Sequence, residues 1–225
     1  MGFNHNPNID EIPPTSLVHP SRNLNLNKNG AASRGGTSKV NSAAYGGAKI
    51  MGQVDYTLAD GTQFLVVATT DGKIWKNTTT TIKTGLTTGK YTSFAVLNDE
   101  LYICNGADIP QVWDGSAGST SDLSLMPTDW TGTNYPQLMV VHGKGNSERL
   151  WALGCPSNPN TVYASDLNDG TEADFSDANV LTFYIETGGA GLTGAAEFGD
   201  RLFLFDRLRS YIIVDDDTNT ANWGY

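Results

Sequence analysis

The stretch Gly194–Asp215 reads GAAEFGDRLFLFDRLRSYIIVD, and it contains the pattern from which the fold can be predicted. Its centre, Leu202–Phe205, is apolar at every position, whereas a strand with one solvent-facing side would alternate apolar and polar residues. The run is too short for a buried helix, and turn residues bound it at Gly199-Asp200 and Arg207–Arg209. The stretch therefore predicts a three-stranded antiparallel meander whose central strand is covered on both faces.

The same order of strand, turn, buried strand, loop and third strand occurs three more times upstream. The three copies cover Val54–Asn77, Thr92–Asp114 and Leu138–Ser165. In the first copy, Asp60-Gly61 and Asp71-Gly72 flank the apolar run Phe64–Val67. Asp-Gly supplies the positive φ that two-residue hairpin turns need, so both pairs predict tight turns.

The spacing of the copies indicates the architecture. The buried strands begin near Phe64, Leu101, Leu150 and Leu202, which by subtraction gives spacings of 37, 49 and 52 residues. Each third strand carries one aromatic residue: Trp75, Trp113, Tyr163 and Tyr211. Meanders repeating at about 40 to 50 residues are typical of propeller blades. We therefore predict an all-β protein, a β-propeller of antiparallel meander blades behind an extended N-terminal arm; a β-sandwich with irregular hairpins is the alternative.

The predicted domains are an extended arm at residues 1–50 and the β-propeller at residues 51–225, with blades at about 54–90, 91–136, 137–190 and 191–225. The arm has few apolar residues, so it cannot form a core of its own. Leu24 and Leu26 alternate with asparagines, which predicts one edge strand at Asn23–Asn27. We expect the arm to add a strand to an open sheet edge or to lie on a neighbouring subunit.

The outermost strands complete this prediction. They are expected at Ile82–Leu86, Leu123–Met126 and Leu181–Glu186, whereas the fourth blade leaves little room for one. Propellers close into rings because open sheet edges are a liability. We therefore expect an incomplete propeller, with a native chain that continues beyond Tyr225; completion of the last sheet by the arm is the alternative.

Charge is unevenly distributed along the chain. The formal net charge is −10, and residues 1–50 carry +3, so residues 51–225 carry −13. A chain this acidic is a poor candidate for nucleic-acid binding, because affinity for phosphates needs Lys and Arg. The same excess of negative charge is expected for a surface past which DNA slides without binding, and it is also expected for a protein whose charge serves only its solubility.

No apolar run reaches about 18 residues, so no membrane span is predicted.

The sequence contains no motif of a known active centre. A nucleophile elbow, a phosphate loop and a dinucleotide fingerprint are all missing. The histidines have no metal-ligand spacing and are interpreted as surface or capping residues: His5, His19 and His142. Glycoside hydrolysis needs paired carboxylates, and the candidates lie in or beside predicted turns, where acidic residues favour the turn itself: Asp99, Glu100, Glu148, Glu197 and Asp200. We therefore predict that the chain is not an enzyme and has no catalytic or cofactor-binding residues.

Two loops contain oxygen ligands of the kind that calcium prefers, Asp166–Asp174 and Asp215–Asn219. In the first loop, Gly170 falls one position early for an EF-hand and no Glu lies at the required end, which favours an Asx-turn loop.

Cys104 and Cys155 lie at the ends of two buried strands, at different distances from the strand starts Leu101 and Leu150. Buried free thiols are the favoured interpretation, and a disulfide or a metal pair is the alternative. We predict no metal site.

Three segments resemble the tailed-bacteriophage virion β-propeller proteins. Arg22–Leu26 followed by Arg34–Asn41 is similar to the arm that precedes the blades in that family. Leu192–Phe205, together with Tyr211–Ile213, is similar to one of the blades of that family. Val162–Leu167, together with Asp174-Phe175, is similar to another. The chain departs from the family at Gly35, where Pro is common, and its arm is less basic than usual.

The resemblance implies a structural virion protein of the tail nozzle or tail tubular type, assembled in the host cytoplasm and located in the viral tail. Copies would form a homo-oligomeric ring, part of a conduit for genome ejection through which DNA passes without specific binding. Connector or adaptor proteins and tail fibre proteins would be its other partners. A fibre-associated adhesin or carbohydrate-binding propeller is the alternative, in which exposed aromatics such as Trp113 and Trp130 would stack on sugars.

Overall fold

The computed structural model describes residues 24–27, 30–33, 45–116, 118–143, 148–167, 172–189, 191–215 and 223–225. The chain divides into two units, Met1–Ser42 and Ala43–Tyr225. In the first unit, β1 (Leu24–Asn27) pairs antiparallel with β2 (Gly30–Ser33). The sequence predicted only the first of these strands. The sequence of β2, GAAS, lacks the β-branched and aromatic residues that mark a strand, so nothing local indicated it.

The second unit contains four antiparallel sheets arranged as a four-bladed β-propeller. Blade 1 consists of β3 (Ile50–Thr57), β4 (Gln63–Thr69), β5 (Lys73–Lys76) and β6 (Thr80–Lys83). Blade 2 consists of β7 (Ser93–Leu97), β8 (Glu100–Cys104), β9 (Gln111–Trp113) and β10 (Ser121–Asp122). Blade 3 consists of β11 (Leu138–His142), β12 (Arg149–Cys155), β13 (Asn158–Ala164) and β14 (Leu181–Tyr184). Blade 4 consists of β15 (Gly194–Glu197), β16 (Leu202–Phe205) and β17 (Ser210–Ile213).

Each blade is a meander in which consecutive strands pair. The first strands of neighbouring blades lie side by side, β3 beside β7, β7 beside β11 and β11 beside β15. The apolar runs from which the fold was predicted are the second strands of the blades. Leu101, Leu150 and Leu202, which lie in these strands, have no solvent exposure. The predicted all-β propeller fold is therefore confirmed. No helix among the residues described is long and apolar enough to cross a bilayer.

Three hydrophobic cores fill the spaces between neighbouring blades. Because side chains alternate across a strand, one strand serves two cores: Leu101 faces blade 1 and Tyr102 faces blade 3. The core of blades 1 and 2 contains Tyr56, Val66, Ile74 and Trp113; that of blades 2 and 3 contains Met139, Leu150, Tyr163 and Phe175; that of blades 3 and 4 contains Trp151, Val162, Leu204 and Ile213. In the described part of the chain, no fourth core joins blade 4 to blade 1.

The outer strands of blades 1 and 2 differ from the prediction. They are Thr80–Lys83 and Ser121–Asp122, rather than Ile82–Leu86 and Leu123–Met126. Leu123 is buried, and its N–H donates to the carbonyl oxygen of Pro110 at 2.8 Å. Leu123 and Met126 of the expected outer strand therefore pack into the core of blades 2 and 3 as the chain leaves the sheet, whereas Leu125 is exposed.

Blade 4 continues beyond its third strand. Val214 and Gly224 exchange two backbone hydrogen bonds of 2.8 and 3.0 Å. Residues Trp223–Tyr225 thereby lie beside the end of β17, where a fourth strand lies in the other blades.

Asp122 links the outer strands of blades 1 and 2. Its Oδ1 accepts hydrogen bonds from Gln111 Nε2 at 2.7 Å and from Lys83 Nζ at 3.2 Å. The hydrogen bond from Gln111, with a smaller contribution from Lys83, holds the pKa of this carboxyl below its usual value. Because the pKa is lower in the folded state, the stabilisation is present above the unfolded pKa of about 3.9 and is lost as pH falls through the folded pKa.

We expect Asp122→Asn to lower the free energy of unfolding by about 0.5–1 kcal/mol at pH 7, a small effect because solvent screens this exposed pair. The difference between the variant and the parent should shrink toward zero near pH 2. Urea unfolding of both proteins at pH 7 and pH 2 measures it. An equal difference at the two pH values would contradict the electrostatic explanation.

Candidate functional site

Two kinds of connection from all four blades lie on one face of the propeller. It carries the connections from first to second strands and from third to fourth strands, because these lie at the same end of every meander. Hydrogen bonds join them across blades: Ala59 N–H donates to Asp99 Oδ1 at 2.9 Å, and Ala173 N–H donates to Tyr102 Oη at 2.8 Å. We call this end the acidic face, for the residues that it presents.

Carboxylates far outnumber basic side chains on the acidic face. Its described connections and the strand ends beside them carry Asp60, Asp99, Glu100, Asp114, Glu148, Asp166, Glu172, Asp174, Asp177, Glu197, Asp200 and Asp215 against Lys76, Arg149 and Arg201. The opposite face is balanced, with Lys49, Lys73, Lys83, Lys90, Arg207 and Arg209 against Asp71, Asp108, Asp122, Asp129, Glu186 and Asp206. The negative charge of the propeller is therefore concentrated on one side.

Turn chemistry explains how the carboxylates come to this face. Asp60 Oδ1 accepts from Thr62 N–H at 2.8 Å, Asp114 Oδ1 from Ser116 N–H at 2.9 Å, and Asp174 Oδ1 from Ser176 N–H at 2.7 Å. In these Asx turns, a carboxylate oxygen takes the place of the backbone acceptor that the N–H group lacks in a tight turn. The hydrogen bond from Thr62 lowers the pKa of Asp60, so this exposed carboxylate is a permanent surface charge at neutral pH.

The carboxylates considered for glycoside hydrolysis all lie on the acidic face: Asp99, Glu100, Glu148, Glu197 and Asp200. The contacts of Asp99 and Glu100 show the structural role of such side chains. Asp99 accepts the Ala59 N–H described above, and Glu100 Oε2 accepts a hydrogen bond from Tyr102 Oη at 2.7 Å. Asp99 thereby joins blade 2 to blade 1, and Glu100 holds the hydroxyl of Tyr102, which accepts from Ala173 of blade 3.

His142 ends β11 and lies between two carboxylates at the junction of blades 3 and 4. Its Nε2 is 3.0 Å from Asp215 Oδ2, and its Nδ1 is 3.8 Å from Glu197 Oε2. Neither nitrogen has hydrogen-bond geometry, so both contacts are electrostatic. The sequence predicted a surface or capping residue, but His142 is 3% exposed. His142 is the last residue of β11 and pairs with Arg149 of β12.

Aromatic stacking supports this junction. The ring of Trp151 is 5.7 Å from that of Phe183 and 6.2 Å from that of Trp223, in stacked geometry. The Arg149 guanidinium lies over Trp223 at 5.5 Å and donates to the carbonyl oxygen of Ser165. The aromatic stack thus attaches the segment 223–225 to blade 3.

The predicted metal candidates have structural roles where the structure describes them. In the loop Asp166–Asp174, Asp166 Oδ1 accepts the Asp174 N–H at 3.0 Å and so joins the two ends of the loop. Asp215–Asn219 lies outside the described residues beyond its first position, as do His5 and His19. Within the described ranges, no group of three His, Cys, Asp or Glu side chains could hold a metal ion.

The two cysteines are free and buried in the core of blades 2 and 3. Burial, with a smaller contribution from the Asp129 carboxylate, raises the pKa of Cys155 to about 12. Burial likewise raises the pKa of Cys104 well above its usual value. Both thiols are therefore protonated and unreactive at neutral pH.

The aromatics proposed for sugar stacking are buried. Trp113 is 1% exposed and Trp130 is 3% exposed. Trp130 contacts the rings of Tyr163 at 5.3 Å and Phe175 at 5.1 Å, so its ring belongs to the core of blades 2 and 3. An exposed aromatic, Tyr91, lines a cleft of about 130 Å³ on the opposite face, which the sequence did not indicate.

No family model matches the sequence, and no curated protein matches it. Two solved structures show limited similarity. The major allergen Mala s 1 of Malassezia sympodialis aligns with a TM-score of 0.46 and 15% identity, over 71% of this chain and 51% of the allergen chain. This chain therefore spans about half the length of that relative. The computationally designed Ika8 protein aligns with a TM-score of 0.22 and 10% identity, over 78% of this chain and 90% of the designed chain.

Proposed function

We propose that this chain is a structural subunit of a bacteriophage tail, of the nozzle or tubular type. Copies of it form a ring-shaped conduit for DNA ejection and provide docking surfaces for neighbouring virion proteins. The role is mechanical and electrostatic, so the proposal involves no catalysis and no cofactor.

The observation that carries the proposal is where the family-like segments lie in the fold. Leu192–Phe205 enters blade 4 and forms its first two strands, β15 and β16. Val162–Leu167 ends β13 and begins the following connection in blade 3. Segments that resemble the blades of tail proteins therefore correspond to blades here.

The acidic face supports the same proposal. At physiological ionic strength, electrostatic interactions act over about 8 Å, so a wall of carboxylates repels DNA phosphates only at close range. A conduit needs this property, because DNA that binds its wall would move slowly. We propose that the acidic face is exposed to the DNA path.

The first experiment tests assembly. Electron microscopy of the purified chain, with mass measurement in solution, should show closed rings of several copies. A protein that remains monomeric at micromolar concentration would contradict self-assembly.

The second experiment tests the electrostatic role. Asp60→Lys with Asp114→Lys reverses two exposed charges of the acidic face, and Asp71→Lys with Glu186→Lys reverses two on the opposite face. We expect the first pair to raise the affinity of the assembled particle for double-stranded DNA roughly tenfold at 50 mM salt, because affinity follows the number of phosphate contacts. It should also slow genome ejection from virions.

The opposite-face pair is the matched control, since it changes the net charge equally. Equal DNA affinity for the two variants would show that net charge alone matters. That result would remove the assigned role of the acidic face.

A carbohydrate-binding propeller is the second candidate, and exposed Tyr91 is the observation in its favour. The ring is 73% exposed beside the cleft, where a sugar could stack on it. Binding of the soluble chain to a glycan array, lost in Tyr91→Ala, would favour this function over the conduit.

A further inference from the structure

We propose that the outer edge of blade 3, strand β14, is the docking site for strand β1 of a second copy of this chain. The inference rests on the proposed function, because it requires self-assembly. It names the two surfaces that the subunits would use.

Strand β14 presents unpaired backbone groups. It pairs with β13 on one side, and among the described residues no strand pairs with its other side. Ile185 N–H donates to Asn160 O at 2.8 Å, so by alternation Thr182 and Tyr184 direct their N–H and C=O groups outward. Both residues are exposed, Tyr184 by 64%. This edge is open to strand addition.

The outer edges of the other blades are protected. In blade 1, the carbonyl oxygen of Ile82 accepts from Thr120 N–H at 2.9 Å, and Lys83 adds a charge. In blade 2, the outer strand has only two residues and one of them is Asp122. In blade 4, Gly224 already pairs beside β17. Strand β14, with the sequence LTFY, has no charge, and no described residue pairs with its outer edge; charge and cover are the usual protections of an edge strand.

The residue pattern of β1 matches that of β14. In β14, Leu181 and Phe183 pack against the core of blades 3 and 4, and Thr182 and Tyr184 are exposed. In β1, leucine and asparagine alternate over four residues. A strand added with Leu24 and Leu26 on the face of Phe183 would extend the apolar side of the sheet and leave the asparagines on its polar side.

Charge complementarity favours the arm as the source of the added strand. Residues 1–50 carry +3 and residues 51–225 carry −13, so the arm of one copy is attracted to the propeller of another. Two carboxylates flank the edge, Asp177 before β14 and Glu186 after it. A two-stranded sheet such as β1 with β2 is marginal alone, so pairing with β14 would also stabilise the arm.

Disulfide trapping tests the proposal. One tagged chain carries Asn25→Cys or Asn27→Cys, and a second chain with another tag carries Thr182→Cys or Tyr184→Cys. After mixing and mild oxidation, we expect a disulfide-linked product containing both tags, at least tenfold above the control in which Ser121→Cys replaces the β14 cysteine. The native thiols do not interfere, because both are buried.

Three results would overturn the proposal. They are no linked product, equal linkage to Ser121→Cys, and linkage only within a single chain that carries both cysteines. Ring particles without the disulfide would overturn this inference and leave the proposed function standing. Linked copies in open filaments would support this inference and count against the ring.

A charge placed on the edge gives a second measurement. Thr182 is exposed, so Thr182→Lys should keep the circular dichroism spectrum and the Tm of the parent. The expected result is at least a tenfold loss of self-association by analytical ultracentrifugation, with Ser121→Lys unchanged. Unchanged association of Thr182→Lys would overturn the proposal.

Discussion

Replacing Trp151 with alanine should lower the free energy of unfolding by about 3–5 kcal/mol, which is the usual cost of removing a buried Trp. Trp151 has no solvent exposure, and its Nε1 donates to the carbonyl oxygen of His142 at 3.3 Å. The substitution would leave a cavity between blades 3 and 4 and remove the stack on Phe183 and Trp223. Domains of this kind are stable by about 5–15 kcal/mol, so much of the total would be lost.

Urea or thermal unfolding of the parent and the variant measures this effect. Tyr91→Ala is the matched control, because it also removes a large aromatic ring but from an exposed position. We expect the control to change stability by less than about 0.5 kcal/mol. Similar losses in the two variants would show that the junction of blades 3 and 4 is not a main source of stability.

Gly72→Ala should destabilise the protein by about 3 kcal/mol, through backbone strain together with steric overlap. Gly72 has a φ of 74°, in the left-handed region, and its carbonyl oxygen accepts from Leu86 N–H at 3.1 Å. A Cβ atom at this position would overlap the carbonyl oxygen of Leu86. The loop that follows β6 would have to move away from the turn between β4 and β5.

Gly61→Ala separates the two contributions. Gly61 has a similar φ of 87°, but a Cβ atom there would have no neighbour within 4 Å. Gly61→Ala therefore introduces backbone strain without steric overlap, and we expect it to lower the free energy of unfolding by about 1 kcal/mol. Chemical denaturation of both variants measures the difference. If the two substitutions cost the same, the approach of Leu86 to Gly72 has no energetic consequence.

These two glycines show how far local sequence could predict the fold. Asp60-Gly61 and Asp71-Gly72 predicted tight turns with positive φ, and both glycines have it. The pattern could not distinguish them, since the crowding of Gly72 arises from Leu86, which lies after another strand. Local sequence thus predicted the conformation of the turns but not the energetic difference between them.

The candidate site was less predictable than the fold. Turn chemistry accounts for Asp60, Asp114 and Asp174 separately, yet the gathering of carboxylates on one face follows from the common orientation of four blades. The outer edge of β14 is likewise a property of the sheets, because it is the side of blade 3 on which the described strands end. His142 was expected at the surface and Trp130 was considered for sugar stacking, and both are buried by contacts with residues distant in the sequence.

The sequence by itself determined the first three strands of each blade, the positive φ of the Asp-Gly turns and the repetition of this unit, because alternation, apolar runs and Asp-Gly pairs act within a few residues. It therefore determined the propeller, which is that unit repeated at the expected spacing. Only the tertiary structure decided which side chains meet between blades, which face is acidic and which sheet edge is open. Those properties depend on residues far apart in the chain, and only the packing of one blade against the next brings them together.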